Sequence, residues 1–226
     1  MPCAPWDEPE PAELGLTPGR LPAKMSAMQV SVFMALSVDG FIARPDGDLD
    51  WLAKVEAPGE DYGYSEFMAG VDVVVMGRRT FEKVLSFGEW PFADVYVVVL
   101  SAGRPEALDQ LPGRIAWMSG EPDEILAALQ RSGYRRIYLD GGETVRRFAA
   151  ADRVDRWILS RVPVILGSGI PLFDSTLGEV ELRHIRTRAF SSGLVQSEYE
   201  TVGLEVGPRR AYPNPSNGCD PDGPQG

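Results

Sequence analysis

The chain reads as one α/β domain built on a largely parallel sheet with an antiparallel edge at its C-terminal end. Three observations predict this. Over residues 28 to 153, short runs rich in Val, Ile, Tyr and Phe alternate with amphipathic segments, the rhythm of strand-helix units. From Val154 onward strands follow one another without helices between them. The last two runs alternate apolar and polar residues and meet through Ser192 and Gly193, as the arms of a hairpin do.

QVSVFMAL, VDVVVM, DVYVVVL, RIAWM and RIYLD are the predicted buried strands. YSEFMAG, RRTFEKVL, EPDEILAALQRSG and GETVRRFAAA are the predicted helices between them. In the third helix Ile125, Leu126 and Leu129 make one apolar stripe behind Pro122, a residue suited to a first helical turn. VDRWILSRVPVIL, VELRHIRTRAF and LVQSEYETV follow as strands, with Val162, Val164 and Leu166 expected near a sheet edge. Period-two alternation spreads Arg183, Arg186 and Arg188 over both faces of their strand, so no basic surface for nucleic acid is expected.

Composition excludes several kinds of chemistry. Of 226 residues 44% are hydrophobic and 24% charged, an ordinary soluble mixture. A net charge of -11 argues against a protein that neutralises nucleic-acid phosphates or an anionic membrane. Cys3 and Cys219 both stand near the ends, so the interior carries no disulfide framework and no cysteine nucleophile. His184 is the one histidine, which rules out three-histidine and HExxH metal sites, and its place on an alternating late strand suggests a solvent-facing role. No metal is expected.

Proline concentrates at the ends: 6 in residues 1 to 28 and 5 in 204 to 226, of 19 in all. Residues 1–27 are therefore expected to form a disordered extension, 28–206 the domain and 207–226 a disordered tail. The head lacks a continuous apolar stretch, so a cytoplasmic protein is expected, with Met25 and Met28 as alternative starts. Runs such as VYVVVL are far short of a membrane span.

Three glycine-bearing turns fall where strands end. VVVMGRRTFE brings a strand through Gly77 into a helix beginning at Arg78, with free N–H groups and two arginines at one helix start. IYLDGGETVRRF does the same through Gly141 and Gly142, where no Cβ obstructs an approaching ligand. VVVLSAGRP ends at Leu100 and Ser101. Ligands of open α/β sheets sit beyond the strand carboxyl ends, so together these turns could hold a phosphorylated cofactor.

ALSVDGFIA, MGRRTFE, VVLS, LDGGETVRRF and WILSRVPVILGSGIPLF, in this order, resemble the dihydrofolate reductase superfamily over about residues 28 to 203. The GSGIPLF ending and the final hairpin look most like the branch related to the C-terminal reductase domain of the bifunctional riboflavin-biosynthesis deaminase/reductase. The resemblance implies a three-layer dihydrofolate reductase-like fold, NADPH as hydride donor and a homodimer. It implies that Ala35 and Ile42 lie beside the nicotinamide. Gly77, Arg78, Arg79 and Thr80 would meet the cofactor phosphates, as would Gly141, Gly142, Glu143 and Thr144 at the second turn. Leu100 and Ser101 would meet the adenosine side, and Arg78 with Ser101 favours the 2′-phosphate form.

The same resemblance implies a small-molecule substrate that is heteroaromatic or a carbonyl compound, as for dihydrofolate reductase or 5-amino-6-(5-phosphoribosylamino)uracil reductase. The orienting carboxylate of the first helix falls among Asp61, Tyr64 and Glu66, with Ser160 as its supporting hydroxyl across the pocket. Asp140 stands where the riboflavin branch has a substrate-contacting Glu. This chain departs from that branch after its second strand, having RRTFEKVLSFGEWPF where an acidic substrate loop is expected. Asp39 is a candidate substrate ligand within an Asp-Gly turn. Trp51 is a candidate cap over the pocket, and the arginines of TVRRF read as a solvated helix face. The second reading is a ligand-binding or interaction protein that retains the fold without turnover.

Overall fold

The computed structural model describes residues 28–203 except residue 176. The expected disordered ends, 1–27 and 207–226, lie outside the described residues, as do residues 204–206 of the expected domain. Among the described residues ten strands and four α-helices follow in chain order, with 3-10 turns at Asp50–Val55 and Glu106–Gln110.

Strand β1 (Gln29–Ser37) leads through the short β2 (Phe41–Ala43) to α1 (Tyr64–Met68). Then β3 (Val73–Gly77), α2 (Arg78–Leu85), β4 (Tyr96–Leu100), β5 (Ile115–Met118), α3 (Pro122–Arg131), β6 (Arg136–Asp140), α4 (Gly142–Ala150) and β7 (Arg156–Val162) follow. The two-residue β8 (Ile170–Pro171) pairs with β2, and β9 (Leu182–Ala189) and β10 (Val195–Thr201) form the final hairpin.

Eight strands make one sheet in the order β5-β4-β3-β6-β1-β7-β10-β9. The pairs from β5 to β7 are parallel, and β10 runs antiparallel to both β7 and β9. The chain winds outward from β3 to β5 and returns to β6 beside β3, which makes the β3/β6 boundary a topological switch point. Ligands of open α/β sheets bind beyond the strand ends at such a point.

Alternation along the buried strands creates the layers. Val73 and Val75 point to the face covered by Ile125 and Leu129 of α3 and Phe148 of α4. Val74 and Met76 point to the face covered by Phe81 and Val84 of α2, with Tyr64 and Phe67 of α1 at its margin. α3 begins with the capping box of Glu121 and Glu124 around Pro122. A third, smaller cluster joins Trp51 and Val55 to Val162 and Leu194.

Two expectations about the late strands are corrected. β7 lies between β1 and β10, so Val162 is fully buried and the sheet edge is β9. A β-bulge between Glu198 and Tyr199 pairs Glu198 with Arg186, Tyr199 with His184 and Glu200 with Arg183. Directly opposed residues share a face, and the extra residue inverts the alternation, so Arg183, Arg186 and Arg188 all lie on one side. His184 is exposed, with Nε2 2.8 Å from Thr187 Oγ1.

Candidate active site

At the switch point the turns after β3 and β6 pack into one another. A Cβ on Gly77 would stand 3.2 Å from Thr144 Oγ1, and one on Gly141 would overlap Thr80 Oγ1. Gly142 is pressed against Ile42 Cδ1 in the same manner. Gly141 has φ +87°, a conformation that a side chain disfavours. The local sequence requires glycine here because two helix starts must meet backbone to side chain.

The two glycine turns open a cleft of about 440 Å³ lined by Gly77, Arg78, Arg79, Thr80, Leu100, Glu143, Thr144 and Arg147. Neither α2 nor α4 has a side-chain hydrogen bond capping its start. First-turn N–H groups of both helices are thus left for a ligand. Arg78 is held by Glu82 at 2.8 Å, while Arg79 is almost fully exposed and only 3.9 Å pairs it with Glu143. Ser101 is half-buried behind Leu100, and its N–H donates to the carbonyl of Met118 at 2.9 Å. Of the two TVRRF arginines, Arg147 faces this cleft, whereas Arg146 is largely buried on Asp174 at 2.9 Å. The solvated-face expectation holds for Arg147, which is exposed, and is corrected for Arg146, whose guanidinium is drawn onto Asp174 and the carbonyl of Pro171.

Over the C-terminal halves of β1 and β7 lies an apolar cavity of about 690 Å³, walled by Phe33, Ala35, Leu52, Val55, Tyr64, Ser160, Val162 and Leu194 among others. Its volume suits a drug-sized flat ligand. Phe33 and Tyr64 meet edge to face at 5.5 Å. Ser160 Oγ accepts the Gln196 amide at 3.0 Å, and the same amide nitrogen reaches the carbonyl of Tyr62 at 3.0 Å. Tyr62, with φ 57°, also donates its hydroxyl to the Val55 carbonyl, which fixes the loop that roofs the cavity.

The candidates for substrate contact separate. Asp61 borders the cavity, but its carboxylate accepts the N–H groups of Gly63 and Ser65 at 2.9 Å each. The Ser65 hydroxyl and these N–H groups hold its pKa below the usual value. Glu66 faces a different cleft, on the wall opposite Arg136 and Arg186. Asp39 receives the N–H groups of Leu166 at 3.1 Å and Gly167 at 2.7 Å, tying two loops together away from the cavity wall. Trp51 is 1% exposed beneath the 3-10 turn; Leu52 and Val55 present the surface that was expected of it. A six-residue 3-10 segment cannot turn all its apolar residues outward, and the largest goes inward.

Asp140 ends β6 between the two clefts. Its partner in register is Met76, and its side chain shares the face of Tyr138. Burial pushes its carboxyl pKa up, partly offset by the N–H of Gly141 and the Tyr138 hydroxyl. Tyr64 is raised too, first by burial and then by the charge of Asp140.

Among the described residues no three or more His, Cys, Asp or Glu side chains gather as a metal site, and no helix is long and apolar enough to cross a membrane. A mostly parallel sheet with an antiparallel edge and a glycine-lined cleft at its switch point define a dihydrofolate reductase-like reductase domain. Residues 28–196 match the RibD C-terminal domain, and the chain belongs to that family.

The uncharacterised protein YwjB of Bacillus subtilis (strain 168) is 36% identical over 171 residues, which is 74% of this chain and 95% of that protein. A crystal structure from Shewanella sp. PV-4, provisionally assigned to riboflavin biosynthesis, matches with TM-score 0.71 and 35% identity over 77% of this chain and 99% of that one. The likeness of fold extends to a Thermotoga maritima diaminohydroxyphosphoribosylaminopyrimidine deaminase/5-amino-6-(5-phosphoribosylamino)uracil reductase. There the TM-score is 0.61 at 16% identity, covering 77% of this chain and 57% of that one.

Proposed function

We propose that the protein is an NADPH-dependent reductase of a small heteroaromatic or carbonyl substrate. The observation that carries this reading is the pair of uncapped helix starts, α2 and α4, opened onto one cleft by glycine turns that leave no room for a Cβ. Diphosphate oxygens would lie against the N–H groups of these starts, with Arg78 and Arg79 supplying charge. Ala35 lines the apolar cavity, and Ile42 packs on Gly142 beside it, positions suited to a flat ring. When bound, the nicotinamide would supply the hydride.

The cavity holds the acceptor by stacking between Phe33, Tyr64 and Leu52 and excludes water with an apolar wall. Tyr64 on this wall feels the charge of Asp140 at the end of β6. Asp140, whose carboxyl pKa is pushed up by burial, is the group assigned in this scheme to a heteroatom that gains charge. Ser160 and Asp61 serve in this scheme as wall and loop positioning residues. A homodimer belongs to the same proposal: β9 is an eight-residue edge strand with Ile185 exposed, and sedimentation should give about twice 24.7 kDa.

The test is a fluorescence titration with NADPH, followed by NADPH oxidation with dihydrofolate and with a ribosylamino-pyrimidine phosphate. Saturable binding with turnover of either substrate supports the reading. Failure to bind NADPH overturns it in favour of a ligand-binding protein without turnover.

A further inference from the structure

At the opposite end of the sheet from the cofactor cleft, a separate cleft of about 180 Å³ opens where β1, β6 and β7 begin. Its wall includes Ser31, Arg136, Arg156, Arg186, Arg188 and Gln196. Four guanidinium groups meet here in a chain of net charge -11, and the β-bulge in the final hairpin puts Arg186 on the same side as Arg188.

Part of this charge is already matched. Glu198 is 8% exposed and takes the Nε of Arg156 at 2.7 Å and of Arg186 at 2.6 Å. Asp72 takes Arg136 at 2.8 Å. These contacts fix the arginines while leaving Nη groups of Arg156 and Arg186 over. Arg188 is half-buried and has no carboxylate partner among the described residues. It lies against the backbone, with Nη1 4.0 Å from a Cβ placed on Gly63.

A second, independent feature points to a ligand. Ser31 is 5% exposed and shares the face of Phe33, and its hydroxyl has no hydrogen-bond partner among the described residues. The Ser31 hydroxyl is not sealed off from the cleft, so it stands ready to donate to an acceptor brought in beside the guanidinium groups. Glu66, across the cleft, and the Gln196 amide oxygen are the acceptors nearby, suited to a hydroxyl or a protonated oxygen of the ligand.

We propose that this cleft binds a tetrahedral phosphate-type oxyanion, held by Arg188, the free Nη groups of Arg156 and Arg186, and the Ser31 hydroxyl. Donors arriving from β1, β7 and β9 suit a tetrahedral group better than a planar carboxylate, which one guanidinium fork would satisfy. The anion is either free phosphate or the phosphate of an ester whose ring enters the apolar cavity, because Phe33 lines both. The site does not depend on the cofactor reading, whose cleft lies beyond the other ends of the strands.

The experiment is a titration of the full-length ¹⁵N-labelled protein with inorganic phosphate in chloride-poor buffer, with Arg188→Ala, Arg188→Lys and Ser31→Ala variants alongside. The expected result is a saturable shift of the Gln196 side-chain amide and the Ser31 N–H. It should weaken about tenfold or more in Arg188→Ala, less in Arg188→Lys and measurably in Ser31→Ala. Signals of Gly77 and Gly141 report the cofactor cleft separately, so failure at one site is not confused with failure at the other. Phenyl phosphate that binds more tightly than phosphate and shifts Ala35 assigns the anion to an ester, with phenol as control; equal binding without a shift at Ala35 assigns it to free phosphate. No saturable shift at Gln196, equal affinity in Arg188→Ala, or a shift that follows protein concentration instead of phosphate would overturn the proposal, the last result placing a second copy of the chain in the cleft.

Discussion

Gly141 and Thr80 occupy adjoining space so closely that any Cβ on the glycine would coincide with the threonine hydroxyl. This contact joins the end of β6 to the start of α2, and the turn at φ +87°, ψ 136° is open to glycine almost alone. Gly141→Ala should destabilise the fold by about 2 kcal/mol or more, roughly 4–8 °C in melting midpoint for a domain of this size. Thr80→Ala in the same chain should restore part of the loss, since it removes the hydroxyl but not the backbone strain. Calorimetry of the four proteins of this cycle checks the coupling, and strict additivity would show that the two turns do not press on one another.

Arg78→Ala should alter stability little, because the side chain is more than half exposed and its pair with Glu82 is a surface contact. For cofactor binding the expected loss is about tenfold or more, the value of a charge-assisted contact of about 1.5–3 kcal/mol. Paired NADPH and NADH titrations locate the arginine. A loss confined to NADPH puts it on the 2′-phosphate, equal losses put it on the diphosphate, and no loss removes it from the site.

Asp140 makes stability depend on pH in an unusual direction for a carboxylate. Its folded pKa is raised, first by burial, so between the ordinary value of about 3.9 and the raised one the native state binds more protons than the unfolded chain. Its contribution is fully present below that window and is lost as pH rises through it. The melting midpoint of Asp140→Asn minus that of the wild type should therefore climb across the window and then level off. A difference that stays flat with pH would show that Asp140 ionises as freely as in water.

Glu198 works in the opposite sense. Burial pushes its carboxyl up, but hydrogen bonds from Arg156 and Arg186 outweigh this and hold it below the usual range. Its stabilisation is present above the ordinary carboxylate value and is lost as pH falls through the depressed one. Glu198→Gln should cost about 1.5–3 kcal/mol near neutral pH and progressively less in acid. Denaturant unfolding at several pH values measures it, and a cost that does not shrink in acid would point to packing instead of charge.

Element types were legible along the chain because each depends on local pattern. The run VDVVVM could alternate between two covered faces only as an interior strand, and the stripe of Ile125, Leu126 and Leu129 behind Pro122 specified a helix. The glycine turns were legible for a related reason: Gly77, Gly141 and Gly142 stand where strand pattern gives way to helix pattern. The bulge opposite Glu198 was hidden, since in LRHIRTRA polar residues fill both faces, and only the register against β10 reveals that Ile185 falls out of step. Trp51 and Asp39 were equally opaque. A tryptophan in a loop can face a ligand or the core, and an Asp-Gly turn does not disclose that its carboxylate will bridge to Gly167, 128 residues away.

The sequence by itself determined the class of fold, the order of its strands and helices, and the turns available to phosphate, because propensity, alternation and glycine placement act over a few residues. Tertiary structure alone decided which of those turns meet, which acidic side chains reach the cavity, and that Arg186 and Arg188 share a cleft with Ser31. Those outcomes depend on strand order and register. Neighbours such as Met76 and Asp140 are 64 residues apart in the chain, and only the packed sheet sets the distance between them.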